Sequence, residues 1–325
     1  MVKFGIIGLG RIAHKFAHDI ALVDGCTLQA VGSRSKEKAK EFASRYKAVN
    51  YYDSYEQVAT DPEVDVIYIA TPHTLHYENT MMCLDAGKAV ICEKPFAMNA
   101  NEVAHMIHTA KEKSLFLMEA LWTRFVPATL KVKQLIDSKA IGKITSISSS
   151  FGFVAAHDPD SRLNRHDLGG GSLLDIGIYP IFISLLLLGD PIETHAIGKL
   201  NASKVDQRCS ILMKFENDAI AALTSDFTTK LPNETIIYGS NGKIKMHEPF
   251  HHTRMLSLEI NEQPSQVLEL PLIGNGYAHE IEEVVYCLQN NKIESDLMTH
   301  QLSRDLIRNL DQVRSLIGLE YDVNK

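Results

Sequence analysis

The first third of the chain alternates short apolar runs with segments in which apolar residues recur every three to four positions. The apolar runs predict strands buried on both faces, and the second pattern predicts amphipathic helices. The predicted strands cover residues 2–7, 27–32, 64–70, 89–92 and 115–118. The predicted helices cover residues 11–22, 36–46, 75–86 and 101–113. This alternation predicts βαβ units, and therefore an α/β domain with a doubly wound parallel sheet over residues 1–120.

The pattern changes after about residue 119. Helices are predicted over 127–137, 172–188, 278–289 and 299–317. Strands are predicted over 144–153, 208–215, 219–227, 235–239, 243–246, 256–260 and 267–270. Asn217-Asp218 and Asn241-Gly242 lie between neighbouring strands and are typical of hairpin turns. Residues 121–325 are therefore predicted to form an α+β domain with a mostly antiparallel open sheet.

Composition and charge narrow the class of protein. The chain has 325 residues, 33 Lys+Arg and 40 Asp+Glu, which gives a net charge of −7 and argues against a nucleic-acid partner. The odd number of cysteines, five without a C-x-x-C pair, predicts free thiols in a reducing compartment. We see no signal-peptide pattern and no apolar run of the ~18 residues that span a bilayer, so we expect a cytoplasmic protein with no membrane contact. The histidine pairs lack a zinc-ligand pattern, so no metal is predicted.

The segment Gly8–Ala13 reads G-x-G-x-x-A and joins the first predicted strand to the first helix. Gly8 would permit the tight turn, and Gly10 would let a pyrophosphate approach the backbone. The helix N-terminus, beginning with Arg11 and Ile12, favours an anion through its free N–H groups and its dipole. The motif in this context predicts a Rossmann dinucleotide-binding domain.

The end of the second strand bears on the choice between the two nicotinamide cofactors. An Asp or Glu about 20 residues after the motif would bind the ribose 2′-OH of NAD. This chain has Ser33 and Arg34 there instead, with Lys38 nearby. A hydroxyl, a guanidinium and an ammonium suit the 2′-phosphate of NADP, so NADP(H) is predicted over NAD(H).

Two further segments suggest chemistry at a bound cofactor. Glu93-Lys94-Pro95 ends a predicted parallel strand, and ligands of doubly wound sheets bind outside the carboxyl ends of the strands. Asp175 and Tyr179 lie four apart at the start of a long apolar helix, so both are predicted on one helical face. Polar groups in such a helix are costly to bury without a partner or a function.

Together, the glycine motif, Glu93–Pro95 and the segment Gly169–Tyr179 resemble the Gfo/Idh/MocA oxidoreductase family. The segment Glu119–Pro127 narrows the resemblance to the branch that contains dimeric dihydrodiol dehydrogenase. The resemblance implies that Lys94, Asp175 and Tyr179 are catalytic. Many members have histidine as the last motif residue. Tyr179 departs from those sugar and inositol dehydrogenases and agrees with the dihydrodiol dehydrogenase and glucose–fructose oxidoreductase branches, in which tyrosine transfers the proton.

The resemblance implies an NADP(H)-dependent oxidoreductase that transfers a hydride between the nicotinamide and a carbinol or carbonyl carbon of a diol, sugar or related small polar substrate. Beside the residues already named, those predicted to contact the cofactor are Thr71, His73, Glu93, Trp122 and Arg124. For His73 the alternative is an exposed position at a helix N-terminus, and for Trp122 it is a core position. Arg124 would reach either the cofactor or a subunit contact.

Some alternatives stay open at this point. His157, Arg162, Arg165 and His166 would line a substrate pocket or lie on a lid. The rival functions are an NAD(H)-dependent sugar or inositol dehydrogenase and a non-catalytic dinucleotide-sensing regulator. The open face of the second sheet is a candidate surface for a homodimer or homotetramer, because an exposed apolar sheet face needs covering.

Overall fold

The computed structural model describes residues 1–321 except 157 and 159, and the chain divides into two compact units. The first unit comprises Met1–Phe125 and Leu272–Arg304. The second comprises the described residues of Val126–Pro271 and those from Asp305 onward.

The first unit contains a six-stranded sheet in the order β3-β2-β1-β4-β5-β6, and every neighbouring pair is parallel. Its strands are β1 (Val2–Ile7), β2 (Cys26–Gly32), β3 (Asn50–Tyr52), β4 (Val66–Ile69), β5 (Ala89–Glu93) and β6 (Leu117–Ala120). The helices between them are α1 (Arg11–Ile20), α2 (Lys36–Tyr46), α3 (Tyr55–Thr60), α4 (His76–Asp85) and α5 (Ala100–Glu112). The predicted doubly wound parallel sheet is confirmed.

Local chemistry explains where these helices begin and end. The Ser35 hydroxyl accepts a hydrogen bond from the Lys38 backbone N–H and caps α2. Asn99 caps α5 in the same way, through the backbone N–H of Glu102. Gly87 follows α4 with φ +77°, a left-handed conformation that glycine adopts without strain.

The segment 272–304 belongs to the first unit, which differs from the predicted division at residue 120. It contains α8 (Ala278–Gln289) and the start of α9 (His300–Leu316). The buried Asp19 carboxylate at the end of α1 accepts hydrogen bonds from the backbone N–H groups of Asn275, Tyr277 and Ala278. These bonds satisfy N–H groups at the beginning of α8 that have no partner within the helix. A long-range contact of this kind leaves no local pattern in the sequence.

The second unit contains an eight-stranded sheet in the order β14-β13-β12-β11-β7-β10-β9-β8. Its strands are β7 (Ile144–Gly152), β8 (Glu193–Leu200), β9 (Asp206–Lys214), β10 (Ile220–Asp226), β11 (Thr235–Gly239), β12 (Gly242–Met246), β13 (Met255–Ile260) and β14 (Gln266–Glu269). The pair β7–β10 is parallel, and the other pairs among the described strands are antiparallel. The predicted mostly antiparallel sheet is confirmed.

Two helices of this unit are α6 (Pro127–Asp137) and α7 (Ile178–Leu188), and a π-helical turn at Leu173–Gly177 leads into α7. The stretch His166–Leu188 has 23 residues and is long and apolar enough to cross a membrane by length and composition alone, although no such stretch is predicted above. In the structure, 78% of its most apolar window is buried inside the protein. It therefore has the environment of a core helix, and α7 packs against β7 and β10.

Candidate active site

The turn between β1 and α1 has the geometry of a phosphate-binding loop. Gly8 has φ +85°, and a Cβ atom there would lie 2.7 Å from the backbone of Ala70 and Thr71, so only glycine fits. Gly10 is exposed, and a Cβ atom there would meet nothing within 4 Å. The first turn of α1 has no acidic side chain, and Arg11 is exposed beside it. Backbone N–H groups at this open helix N-terminus fit a pyrophosphate.

The end of β2 presents the positive charge expected for a 2′-phosphate site. Arg34 and Lys38 are exposed, and the Ser33 hydroxyl accepts from the Ser35 N–H at 3.2 Å. Burial raises the pKa of the Tyr55 phenol, while the Arg34 charge acts against that increase, which indicates that Arg34 lies near Tyr55. A cavity of about 250 Å³ adjoins the glycine turn and is lined by Leu9, His14, Lys38, Glu41, Phe42 and Arg45.

The buried His76 ties together the segments that follow β4 and β5. Its Nδ1 lies 2.8 Å from the Pro95 carbonyl oxygen, and its Nε2 lies 2.9 Å from the Thr71 carbonyl oxygen. The Thr71 hydroxyl also accepts a hydrogen bond from Asn79. His73 begins the short helical turn before α4 and is buried. The alternative of an exposed position for His73 is therefore wrong. These contacts hold two neighbouring strand ends at the edge where dinucleotides bind in this fold.

The Glu93–Pro95 motif lies where β5 ends. The Glu93 carboxylate accepts from the Tyr68 hydroxyl at 2.5 Å and from the Lys94 backbone N–H at 3.2 Å. The Lys94 side chain is half-buried. Two residues later, the backbone N–H of Phe96 donates to the buried carboxylate of Glu119 at 3.1 Å. The motif therefore presents an ammonium group at the carboxyl edge of the sheet, on a backbone fixed by hydrogen bonds.

Trp122 and Arg124 lie in a helical turn after β6 and are both buried. The Trp122 ring stacks on Tyr277, with 4.7 Å between centroids. The Arg124 Nε donates to the Leu297 carbonyl at 2.7 Å, and burial lowers the pKa of the guanidinium. Both side chains therefore join β6 to the segment 272–304, and their contact with a cofactor stays a prediction.

In the second unit, Asp175 lies in the π-helical turn and Tyr179 in the first turn of α7. Arg162 donates from Nη2 to Asp175 Oδ1 at 2.7 Å. Tyr179 is 6% exposed, and its ring lies against Phe151 and His251, at centroid distances of 5.9 and 4.8 Å. The unit thus presents a carboxylate held by an arginine and, one helical turn later, a phenol held by two rings.

A buried carboxyl anchors the start of this helical segment. Asp206 accepts from the Ser172 hydroxyl at 2.6 Å and from the Leu173 N–H at 2.8 Å. Burial raises the pKa of Asp206 to about 6, although these hydrogen bonds oppose the increase. Gly171 has φ +114°, and a Cβ atom there would lie 2.3 Å from Asp206 Oδ1. The triple glycine therefore lets the chain pass close to Asp206.

The sequence did not indicate a site role for Asp206, Glu119 or His251. The His251-His252 pair reads as a core or surface feature, because nothing local connects it with Tyr179. In the polar segment before the triple glycine, Arg165 pairs with Asp167, and His166 Nε2 lies 2.5 Å from the Glu320 carbonyl oxygen. His157 lies outside the described residues. Within the described part of the chain, no group of three or more His, Cys, Asp or Glu residues is arranged to hold a metal ion.

The glycine turn at the carboxyl edge of a doubly wound parallel sheet defines a dinucleotide-binding protein of the Rossmann type. Residues 2–121 match the model of the Gfo/Idh/MocA oxidoreductase family with its NAD-binding Rossmann fold, and residues 129–245 match a Gfo/Idh/MocA C-terminal domain. The chain belongs to the Gfo/Idh/MocA family, as predicted, and is an NAD(P)-dependent oxidoreductase.

Individual relatives agree with the predicted branch. The chain is 36% identical to trans-1,2-dihydrobenzene-1,2-diol dehydrogenase of Danio rerio, with 98% of each chain covered. It is 31% identical to the enzyme of that name from Homo sapiens, with 100% of this chain and 99% of the relative covered. Among solved structures, a 3-ketoreductase from Actinomadura kijaniata in complex with NADP and TDP-benzene is 25% identical and superposes with a TM-score of 0.87, covering 97% and 98% of the two chains.

Proposed function

We propose that this protein is an NADP(H)-dependent oxidoreductase that transfers a hydride between the nicotinamide and a CH–OH or carbonyl carbon of a diol, sugar or related small polar substrate. The observation that carries the proposal is the similarity to the dihydrobenzenediol dehydrogenases, which extends over 98% of the chain at 36% identity. The glycine turn supports it, because its backbone leaves room for a pyrophosphate.

Tyr179 is the proposed proton-transfer residue. The bound nicotinamide supplies or accepts the hydride, so the protein must orient the substrate and move one proton. In carbonyl reduction, the Tyr179 hydroxyl would donate its proton to the substrate oxygen. In alcohol oxidation, the Tyr179 phenolate would remove the proton from the substrate hydroxyl. The rings of Phe151 and His251 support this role because they restrict the orientation of the phenol.

Lys94 and Asp175 are the proposed assisting residues. An ammonium close to the phenol favours its ionised form, and it also donates hydrogen bonds to a substrate oxygen. Lys94 and Tyr179 belong to different units, and their action on one substrate is part of the proposal. Asp175, held by Arg162, would accept a hydrogen bond from a second substrate hydroxyl. A substrate with two neighbouring oxygens would satisfy both groups.

The proposed preference for NADP(H) depends on the end of β2. Arg34 and Lys38 are exposed there beside the Ser33 hydroxyl, and no carboxylate occupies the position at which NAD-specific enzymes bind the ribose. A guanidinium binds a phosphate through charge-assisted hydrogen bonds, whereas it offers little to a 2′-OH.

We further propose that the protein is a cytoplasmic homodimer or homotetramer that associates through the eight-stranded sheet. Ile197, Leu212, Ile220 and Tyr238 are exposed on β8, β9, β10 and β11, and a second copy would cover these apolar side chains. The five cysteines are free thiols, which favours a reducing compartment.

The direct test measures binding of NADPH and NADH by nicotinamide fluorescence, followed by turnover of diols, sugars and dicarbonyls in both directions. The proposal predicts tighter binding of NADPH and turnover of at least one vicinal diol or its carbonyl product. Binding of NADPH without any turnover would instead indicate a nucleotide-sensing regulator. Turnover of sugars or inositols with a preference for NADH would indicate the other dehydrogenase class.

A further inference from the structure

The buried carboxyl of Glu119 lies on β6, directly beside the Glu93–Pro95 motif. In the parallel pairing of β5 with β6, Glu119 is opposite Cys92, and Ala120 is opposite Glu93. Glu119 is 2% exposed, although it lies close to the strand end at which ligands bind in this fold. Burying a carboxyl group costs free energy unless the group has hydrogen-bonding partners, so a buried glutamate at this position indicates a specific role.

Glu119 fixes the backbone immediately after Lys94. Its Oε1 accepts the hydrogen bond from the Phe96 N–H, at 3.1 Å. Because Pro95 has no N–H, Phe96 carries the first backbone donor after that of Lys94 itself. The Pro95 carbonyl oxygen is contacted by His76 from α4. The peptide that carries the Lys94 ammonium is therefore held from β6 as well as from α4.

The charge of Glu119 is set by its immediate neighbours. The titratable and polar groups that influence it are Cys92 and Glu93 of β5, Lys94 directly after β5, and the Ser303 hydroxyl of α9. Burial is the largest influence and disfavours the carboxylate, and the negative charge of Glu93 acts in the same direction. The Ser303 hydroxyl, the Phe96 N–H and the Lys94 ammonium favour the carboxylate. The net effect raises the pKa of Glu119 to about 7, so the group changes charge near neutral pH.

We propose that Glu119 is a positioning residue for Lys94. Its carboxylate attracts the Lys94 ammonium and strengthens the hydrogen bond to Phe96, and protonation weakens both interactions. This inference rests on the proposed catalytic role of Lys94. It predicts that the most active form of the enzyme has Glu119 ionised.

A Glu119→Gln variant separates charge from packing, because the amide oxygen can still accept from Phe96 while the negative charge is lost. The experiment measures kcat/KM for the best substrate from pH 5.5 to 9 in the wild type and in Glu119→Gln. Wild-type kcat/KM should rise about tenfold through an inflection close to pH 7. Glu119→Gln should lack this inflection and stay about tenfold below the wild-type plateau, with its NADPH Kd within about twofold of wild type. Glu112→Gln, an exposed site on α5, should behave as wild type.

A second variant keeps the test decisive if Glu119→Gln does not fold. Ser303→Ala removes one group that favours the carboxylate, so the inflection should move to higher pH while the alkaline plateau is retained. The proposal is overturned if the wild type has no inflection between pH 6 and 8, if Glu119→Gln keeps it, or if Ser303→Ala leaves it in place.

A Lys94→Met variant distinguishes this failure from failure of the proposed function. If Lys94→Met retains wild-type kcat, the proposed function itself is contradicted. If Lys94→Met is inactive but the inflection is unaffected by Glu119→Gln, only the positioning role of Glu119 is contradicted.

Discussion

Arg162 holds the carboxylate of Asp175 from 13 residues earlier in the chain, with 2.7 Å between Nη2 and Oδ1. The Asp175 side chain is 13% exposed and that of Arg162 is 36% exposed, so solvent screens this pair less than a fully exposed one. The carboxylate that the motif predicts at the site is therefore oriented by an arginine of the polar segment before the triple glycine. This arrangement gives Arg162 a role that its position in the sequence did not specify.

Replacing Arg162 with alanine should lower kcat/KM about tenfold, because Asp175 loses the partner that orients it. The NADPH Kd should stay within about twofold, since Arg162 belongs to the second unit. Steady-state kinetics together with fluorescence titration would check both values. Arg254→Ala is the control, because Arg254 is an exposed arginine of the second unit with no predicted site role. A wild-type kcat/KM in Arg162→Ala would show that the pair does not serve the reaction.

Arg34→Ala should weaken NADPH binding at least about tenfold and leave NADH binding nearly unchanged, because the guanidinium contacts only the extra phosphate in the proposed site. Fluorescence titration of both nucleotides gives the two Kd values. Lys36→Ala, another exposed cation at the start of α2, should affect neither. Equal losses for NADPH and NADH, or no loss for either, would remove the basis for the proposed NADP preference.

Asp19→Asn should lower the free energy of unfolding by about 2–4 kcal/mol, because the backbone N–H groups before and within the first turn of α8 lose a charged acceptor. Urea denaturation followed by circular dichroism would measure the difference. Asp24→Asn is the control at an exposed position, and its effect should stay within about 0.5 kcal/mol. A change below this limit in Asp19→Asn would mean that the segment 272–304 is held to the first unit by other contacts.

Asp206 predicts a specific dependence of stability on pH. Because burial raises its pKa from 3.8 to about 6, the folded state binds this proton more tightly than the unfolded state. Its contribution to stability is greatest below pH ~4 and is lost as the pH rises through about 6, a change of about 3 kcal/mol. Asp206→Asn should therefore gain about 2 kcal/mol of this change relative to wild type between pH 4 and 7.

Unfolding free energies measured at several pH values would test this prediction. Asp218→Asn, at an exposed turn position, should show no comparable change relative to wild type. A difference between Asp206→Asn and wild type that is constant over this range would contradict the assignment of a raised pKa to Asp206.

Periodicity predicted most of the regular elements because their apolar faces are long and continuous. It missed β3 and α3, which have three and six residues and offer too few buried positions to form a pattern. It also missed β8, because Thr194 is the only buried residue among its eight. It also predicted an α-helix from the start of the apolar segment 172–188. The π-helical turn at Leu173–Gly177 arises where the chain packs on Asp206 and Ser225. Both of these residues are far from the turn in the sequence.

The candidate site residues also fall into two groups, those with a local sequence pattern and those that depend on contacts distant in the sequence. Local motifs pointed to Gly8, Lys94 and Tyr179 as candidates, because a turn, a strand end and a helix start have recognisable sequence contexts. Glu119 and His251 could not be found from local pattern. Glu119 reads as one residue of a buried strand, and its hydrogen bond to Phe96 depends on the register between β5 and β6. The contact of His251 with Tyr179 joins residues on separate elements of the second unit.

The kcat of Tyr179→Phe, measured together with its NADPH Kd, tests the proposed proton transfer most directly. Loss of the hydroxyl removes the proposed proton donor and acceptor but keeps the ring against Phe151 and His251. If Tyr179 transfers the proton, kcat should fall by at least about a hundredfold while the NADPH Kd stays within about twofold of wild type. A variant that binds NADPH normally and turns over at nearly the wild-type rate would contradict this role.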